Sequence, residues 1–229
     1  MLQVANLNVG YGQSEVVHAA TFSAGKAEIL AIMGRNGMGK TTLLKSLIGL
    51  INSRSGSVKV DGVEVTGLPS HKRVRSGMAF VPQGRMIFSS LSVYENLLSG
   101  AKGEVAQSTF DEIYALFPVL FEMRKRKGGN LSGGQQQQLA IGRALITNPK
   151  VLVLDEPTEG IQPSIIKDIA RVLRDIRTMR ELTIVVTEQV VSFMMDVCDR
   201  VLVMDRGRFV HEDTREHIDT DKVKRLLAV

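Results

Sequence analysis

The sequence is poor in several residue types, and each shortage argues against a class of protein. None of the 229 residues is tryptophan and only three are tyrosine, so a row of aromatic side chains for stacking nucleic-acid bases is not expected. The single cysteine, Cys198, excludes an internal disulfide and fits a reducing compartment. No apolar run reaches the ~20 residues that a membrane-spanning helix needs.

The net charge and the histidines bear on two further kinds of site, for nucleic acid and for metal ions. The formal net charge of +5 allows contact with an anionic membrane surface, but it does not by itself indicate nucleic-acid binding. None of the four histidines has metal-ligand spacing with a cysteine, so a metal site built from protein side chains alone is not expected. At 229 residues the chain is long enough for one domain with a subdomain, or for two small domains.

A glycine-rich stretch between a predicted strand and a predicted helix organises the chain. Residues 34–42 follow the apolar run Ile29–Met33, and apolar residues recur at helical spacing after them. Glycines let backbone N–H groups approach phosphates closely, and the first turn of a helix offers unpaired N–H groups. The pattern predicts a nucleotide site in which Lys40 reaches the β- and γ-phosphates and Thr41 coordinates Mg²⁺. An ordinary glycine-rich turn is the alternative.

Two adjacent acids follow another predicted buried strand, residues 151–154. At the carboxyl end of such a strand Asp155 can hold Mg²⁺, and Glu156 can polarise a water molecule as a general base. Residues 187–189 end a further predicted strand and are expected to reach the region of the γ-phosphate. These positions agree with the nucleotide site.

The middle of the chain has a different character. Strand-like runs stop between residues 84 and 148 and helical spacing takes over, so we predict a helical subdomain inserted into an α/β body formed by residues 1–83 and 149–229. Within it, residues 131–135 read L-S-G-G-Q and open a helix with Ser132 as N-cap. One nucleotide rarely needs two such loops from one chain, so this loop is predicted to serve the nucleotide of another molecule; an ordinary helix start is the alternative.

Three further observations are weaker. Tyr11 lies in a glycine-flanked turn, where it can stack on a purine ring or cover the core. Gln83 follows the predicted strand at residues 78–81, at the end where ligand contacts gather in α/β sheets. Residues 2–9 read as an edge strand, and Asp61-Gly62 predicts a hairpin turn.

In motif order these residues resemble the ATP-binding cassette (ABC) ATPases over nearly the whole chain. The resemblance implies an α/β fold: a P-loop NTPase (RecA-like) core with an antiparallel β subdomain and the inserted helical subdomain. It implies two molecules of ATP with Mg²⁺, sandwiched in a head-to-tail dimer of identical chains or of two related ones. It also implies transmembrane permease partners, a solute-binding protein, no nucleic acid, and a peripheral place on the cytoplasmic face of a prokaryotic inner (plasma) membrane.

The same resemblance implies a role for each candidate residue. Lys40, Glu156 and Gln189 would be catalytic, and Thr41, Gln83 and Asp155 would hold Mg²⁺. Ser132 and Gly134 would contact the ATP held by the opposite subunit. The residues implied to bind the chain's own ATP are Tyr11, Gly34, Asn36, Gly37, Gly39, Lys40, Thr41, Thr42 and Gln83.

Two positions depart from the usual family pattern. Gln189 stands where a histidine is usual, and the loop after the acid pair reads Glu159-Gly160-Ile161-Gln162 instead of ending in aspartate. Both departures are similar to the subfamily that imports branched-chain amino acids, urea or short amides, and the motifs look most like its urea-type subunit. The sequence therefore predicts an ATPase that energises urea or amide uptake, with branched-chain amino acids as the alternative cargo.

Two other functions remain open from sequence. One is a soluble cassette ATPase that acts on DNA or ribosomes, which usually has two cassettes or long insertions. The other is a nucleotide-dependent switch with negligible turnover, because glutamine cannot titrate near neutral pH.

Overall fold

The computed structural model describes residues 1–101 and 103–227; residues 102, 228 and 229 of the predicted domain ranges lie outside them. The strands are β1 Leu2–Tyr11, β2 Ser14–Ala24, β3 Ile29–Met33, β4 Ser53–Val60, β5 Val63–Glu64, β6 Met78–Val81, β7 Val151–Asp155, β8 Thr183–Glu188, β9 Arg200–Asp205 and β10 Arg208–Thr214. The helices are α1 Lys40–Leu47, α2 Ser70–Arg75, α3 Val93–Ser99, α4 Gln107–Leu116, α5 Pro118–Glu122, α6 Gly133–Leu145, α7 Pro163–Met179, α8 Val191–Val197 and α9 Thr220–Leu227.

The first sheet is antiparallel, with strand order β2-β1-β4-β5. The prediction of an edge strand for residues 2–9 is wrong, because β1 pairs with β2 on one side and β4 on the other. The predicted hairpin turn is confirmed: Asp61 and Gly62 join β4 to β5, both with positive φ, as a tight two-residue hairpin requires. Tyr11 ends β1, and the turn itself begins at Gly12.

The second sheet has strand order β10-β9-β3-β8-β7-β6, and its pairs are parallel except for β10 with β9. In β3, β7 and β8 every residue is buried, as expected for strands covered on both faces. The carboxyl ends of β3, β7 and β8 therefore meet at one edge of the sheet, where ligands bind in open α/β folds.

Alternate residues of β3 build two cores. Ile29, Ala31 and Met33 belong to the cluster between the parallel sheet and helices such as α6, α7 and α8. Leu30 and Ile32 belong to the cluster that joins the parallel sheet to α1 and the antiparallel sheet. A strand so tightly held on both faces gives the loop that follows it a rigid base.

Among the described residues from 84 to 101 and from 103 to 148, the regular structure is helical, apart from one isolated bridge between Ser92 and Lys127. Helix α6 contacts α3, α5 and α7 as well as strand β6, so it connects this segment with the sheet. In residues 1–101 and 103–227 no helix is both long enough and apolar enough to cross a membrane.

Candidate functional site

The glycine-rich loop lies between β3 and α1 as predicted, and its glycines have distinct reasons. Gly37 and Gly39 have φ of 80° and 101°, values that side chains with a Cβ rarely adopt. Gly34 is required by space, since a Cβ there would lie 2.6 Å from the carbonyl oxygen of Met204. A residue with a Cβ is therefore disfavoured at all three positions of the loop.

Lys40 is the first residue of α1 and its side chain is buried within the loop. Its Nζ donates to the carbonyl oxygens of Gly34 at 2.6 Å and Arg35 at 3.0 Å, and it lies 3.1 Å from Glu156 Oε1. These three acceptors use all the hydrogen-bonding capacity of an ammonium group. A phosphate that binds in the loop would replace one or more of these three acceptors of the Lys40 ammonium group.

Asp155 ends β7 beside the loop, and only one of its two carboxylate oxygens is hydrogen-bonded. Its Oδ1 accepts from the hydroxyls of Thr41 at 3.2 Å and Thr187 at 2.7 Å. Its Oδ2 is buried with no hydrogen-bond partner. Burial raises the pKa of Asp155, although the two hydroxyl bonds oppose the rise. A buried carboxylate oxygen beside a threonine hydroxyl is a fitting ligand pair for Mg²⁺.

Other residues complete this arrangement only in part. In the part of the chain that the structure describes, no group of three or more histidine, cysteine, aspartate or glutamate side chains is placed to hold a metal ion. Gln83, the third predicted ligand, donates its side-chain amide to Glu159 Oε2 at 3.0 Å, whereas Thr41 donates to Asp155. The protein offers an incomplete shell, which the phosphate oxygens of a nucleotide can complete.

Glu156 and Gln189 meet above the loop. Glu156 has a φ of 45°, unusual for a residue with a side chain, and its N–H donates to Thr187 O at 3.1 Å. Its Oε1 accepts from Gln189 Nε2 at 3.0 Å, and the same amide nitrogen donates to Asn36 Oδ1 at 2.7 Å. Lys40, Asn36, Glu156 and Gln189 therefore form one hydrogen-bonded cluster.

The structure corrects the prediction for Glu188, which was expected to reach the γ-phosphate region. Its side chain is 2% exposed and accepts from Thr158 N at 2.9 Å and from the N–H of Gln189 at 2.9 Å. It points into the protein between two loops. The hydrogen bonds of Thr187 with Asp155 and Glu156, and those that Glu188 accepts from Thr158, carry no signal in the sequence, because they depend on β7 and β8 being neighbours.

The remaining candidates lie outside this cluster. Tyr11 is half-exposed at the end of β1, and Thr42 is buried in the first turn of α1. Ser132 is exposed and caps α6 in a reciprocal pair with Gln135, with bonds of 3.3 Å and 2.9 Å. Gly134 packs against Ile165 of α7, whose Cγ2 would lie 2.8 Å from an added Cβ.

The sequence and this geometry are similar to those of known proteins. The family model described as "ABC transporter" matches residues 17–159. The chain is 40% identical over 218 residues to the high-affinity branched-chain amino acid transport ATP-binding protein BraG of Pseudomonas aeruginosa, with 93% of each chain covered. The chain belongs to the ABC transporter ATPase family. Members of this family hydrolyse ATP with Mg²⁺, so the chain is an ATPase with these ligands.

Other relatives of this ABC ATPase differ in what their names say they transport. It is 36% identical to the probable branched-chain amino acid transport protein LivF of Archaeoglobus fulgidus, over 99% of this chain and 98% of that one. It is 33% identical to the lipopolysaccharide export protein LptB of Haemophilus influenzae, over 99% and 96%. The family is thus shown, whereas the predicted urea specificity is not.

Solved structures confirm the predicted α/β ABC ATPase fold. A nucleotide-free ATP-binding cassette from an ABC transporter has a TM-score of 0.85 at 26% identity, covering 99% of this chain and 94% of that one. MJ1267, an ATP-binding cassette of an ABC transporter, has a TM-score of 0.86 at 25% identity, covering 100% and 99%.

Proposed function

We propose that this ABC ATPase is the ATP-hydrolysing subunit of an importer for small polar solutes. The observation that supports it most is the cluster in which Lys40 and Gln189 share one carboxylate oxygen of Glu156. This cluster places a cation, a candidate general base and a neutral donor at the mouth of the glycine-rich loop. These are the groups that phosphoryl transfer to water requires.

Each member of the cluster has a distinct proposed role. Lys40 and the N–H groups around Gly34, Gly37 and Gly39 offset charge on the γ-phosphate, and Thr42 supports the first helical turn. Glu156 orients the attacking water and accepts its proton. Asn36 and Gln189 hold the Glu156 side chain in place through the amide bridge.

Mg²⁺ would be held by Thr41 and Asp155, with Gln83 as a further ligand. When bound, the ion offsets the charge of the β- and γ-phosphates. Oδ2 of Asp155 is free for such a contact, whereas Gln83 must first leave Glu159.

The proposed assembly is a head-to-tail dimer, of this chain or with a related one. Ser132 and Gly134 then act on the ATP of the opposite subunit, and half-exposed Tyr11 stacks on adenine. The exposed Ser132 hydroxyl and the N–H groups at the start of α6 support this role, because a helix start attracts anions. We retain residues 84–148 as an inserted helical subdomain and residues 1–83 with 149–229 as the core.

The proposed partners are transmembrane permease subunits and, through them, a solute-binding protein; no nucleic acid is involved. Closure of the dimer would push on the permease beside residues 83–95, and the ATPase would lie on the cytoplasmic face of the inner membrane. The names of BraG and LivF support a branched-chain amino acid as cargo. Urea or a short amide is the second candidate, based on the motifs around Glu159 and Gln189.

A transport assay tests the function and separates the cargoes. The ATPase, reconstituted into liposomes with its permease subunits and their binding protein, should drive accumulation of labelled leucine only when ATP is supplied on the side of the ATPase. Urea uptake in the same vesicles would favour the second cargo. ATP hydrolysis without accumulation of either solute, or export of a lipid as the name of LptB describes for that protein, would contradict the proposal.

A further inference from the structure

The carboxylate of Glu188 joins two loops of the site and has no role in the function proposed above. It ends β8, is 2% exposed, and lies one residue before Gln189. Its Oε1 accepts from the N–H of Thr158 at 2.9 Å and from the Thr158 hydroxyl. Its Oε2 accepts from the N–H of Gln189 at 2.9 Å and of Val190 at 3.4 Å.

These contacts close a ring around the proposed general base. The chain runs from Glu156 to Thr158, crosses to Glu188 by hydrogen bonds, continues to Gln189, and returns from the Gln189 amide to Glu156 Oε1. A buried carboxylate is tolerated only where donors satisfy it, so moving either loop away would leave charge buried without partners. The ring therefore resists changes in the spacing of Glu156 and Gln189.

We propose that Glu188 is a positioning residue that holds the Gln189 amide against Glu156. This inference rests on the proposed roles of those two residues. Both oxygens of Glu188 are occupied by donors from the chain, so its influence passes through Gln189 and Thr158 and not through the nucleotide. It should therefore alter turnover and leave the binding of ATP unchanged.

Kinetics of Glu188→Gln test this directly. The substituted amide keeps the shape but presents N–H groups to either Thr158 N–H or Gln189 N–H, so one loop loses its acceptor. We expect kcat to fall about tenfold or more while KM for ATP stays within about twofold, the pattern of a group that acts only in the chemical step. Thr158→Val removes the hydroxyl bond with little change of volume and should lower kcat in the same sense, by less.

Matched variants at the opposite end of the sheet control for stability. Asp199→Asn alters a carboxylate that accepts from Ile29 N at 2.8 Å, and Thr183→Val removes a buried hydroxyl that donates to Gly25 O at 2.5 Å. Both should lower the thermal midpoint without lowering kcat. If they reduce kcat as much as Glu188→Gln at equal loss of stability, Glu188 is merely structural and the inference is overturned.

Double variants distinguish this inference from the proposed function. Because Glu188 acts through Gln189, the losses of kcat in Glu188→Gln and Gln189→Ala should fall well short of multiplying in the double variant. If the two losses of kcat multiply fully and Gln189→Ala is itself impaired, the proposed role of Glu188 is wrong, whereas the proposed function is not affected. Full activity of Gln189→Ala would remove Gln189 from the proposed function, and the inference about Glu188 with it.

Discussion

The side-chain amide of Gln189 connects the glycine-rich loop with the acid that follows β7. Its Nε2 lies 2.7 Å from Asn36 Oδ1 and 3.0 Å from Glu156 Oε1, and an amide nitrogen has two hydrogens with which to make both bonds. A neutral imidazole has only one N–H and becomes charged near neutral pH. Glutamine therefore supplies a double donor whose charge does not change with pH.

This bridge predicts how turnover depends on pH. The rate of ATP hydrolysis should show no inflection in the histidine range, about pH 6–7, because the amide has no proton to lose there. Gln189→His should introduce an inflection in that range and retain part of the activity. The measurement is the steady-state rate of phosphate release from pH 5 to 9 for both proteins.

Variants at residue 189 also distinguish its effect on the pH profile from the titration of other groups. A clear inflection in the unaltered protein that persists in Gln189→Ala would assign the titration elsewhere and contradict the prediction. A histidine variant with the flat profile of the original would show that residue 189 does not contribute to the rate.

Removal of the Lys40 ammonium should weaken nucleotide binding. In Lys40→Ala the contact with phosphate is lost, and Glu156 loses the cation that lies 3.1 Å from its Oε1. A charge-assisted hydrogen bond contributes about 1.5–3 kcal/mol, so the dissociation constant of ATP should rise roughly 10- to 150-fold. Titration with a fluorescent ATP analogue measures it, with Lys45→Ala, on the same helix, as the control; equal affinity in both variants would remove Lys40 from the phosphate site.

The continuous motifs of the site could be predicted from sequence because they need only local order. A buried strand followed by glycines and a helix places Gly34 and Lys40 together whatever the rest of the chain does, and the run before Asp155 is a recognisable buried strand. The contacts of Thr187 and Glu188 could not be predicted in this way. They depend on β8 lying between β3 and β7 with Thr187 opposite Asp155, a register set by the whole sheet.

The direction of a side chain and the partners of a strand could not be predicted from sequence spacing, for a similar reason. Gln83 points to Glu159, which is 76 residues later in the sequence, so spacing carries no signal for that bond. The alternation of β2 is broken at Ala19, where φ is 49° and the pairing register with β1 shifts nearby, so the sequence pattern gives no clear strand there. Without β2, the pattern places β1 at the edge of its sheet.

Conversion of Glu156 to glutamine should separate ATP binding from hydrolysis. The amide keeps an oxygen that accepts from Gln189 and Lys40, but it cannot accept a proton from the attacking water. Glu156→Gln should therefore bind ATP, lose turnover and accumulate as a dimer with ATP and Mg²⁺ on a sizing column. Glu181→Gln, an exposed change at an ion pair with Lys26, should not accumulate; a monomer in the first variant would contradict the sandwich.

Asp155 should reduce the stability of the chain when metal is absent. Because burial raises the pKa of Asp155, the folded chain binds this proton more tightly than the unfolded chain, so stability falls as pH rises above the usual aspartate range. Asp155→Asn removes the buried charge and keeps an acceptor for Thr41 and Thr187. Its thermal midpoint in a chelator should exceed that of the original at pH 7, and the difference should shrink toward about pH 4.

The same variant should lose Mg²⁺-dependent turnover, because the unpartnered Oδ2 is replaced by an amide nitrogen. Thermal unfolding with and without Mg²⁺-ATP measures both effects. An equal or lower midpoint at pH 7 in the chelator would show that the ionised carboxylate costs the folded state nothing.

Gly134 combines a packing constraint with its proposed contact to the opposite ATP, and a paired substitution separates the two. A Cβ at this position would lie 2.8 Å from Ile165 Cγ2 and 3.0 Å from Cγ1. Gly134→Ala should therefore lose about 1–3 kcal/mol from overpacking, partly offset by the better helix propensity of alanine. Ile165→Ala in the same chain removes the opposing γ-carbons and should restore most of the stability that Gly134→Ala loses.

Gly67→Ala, whose Cβ meets nothing within 4 Å, is the control for added bulk alone. If stability returns in the double variant while turnover does not, bare backbone at residue 134 is needed by the nucleotide; if turnover returns too, the glycine serves packing and the proposed phosphate contact at this residue is wrong.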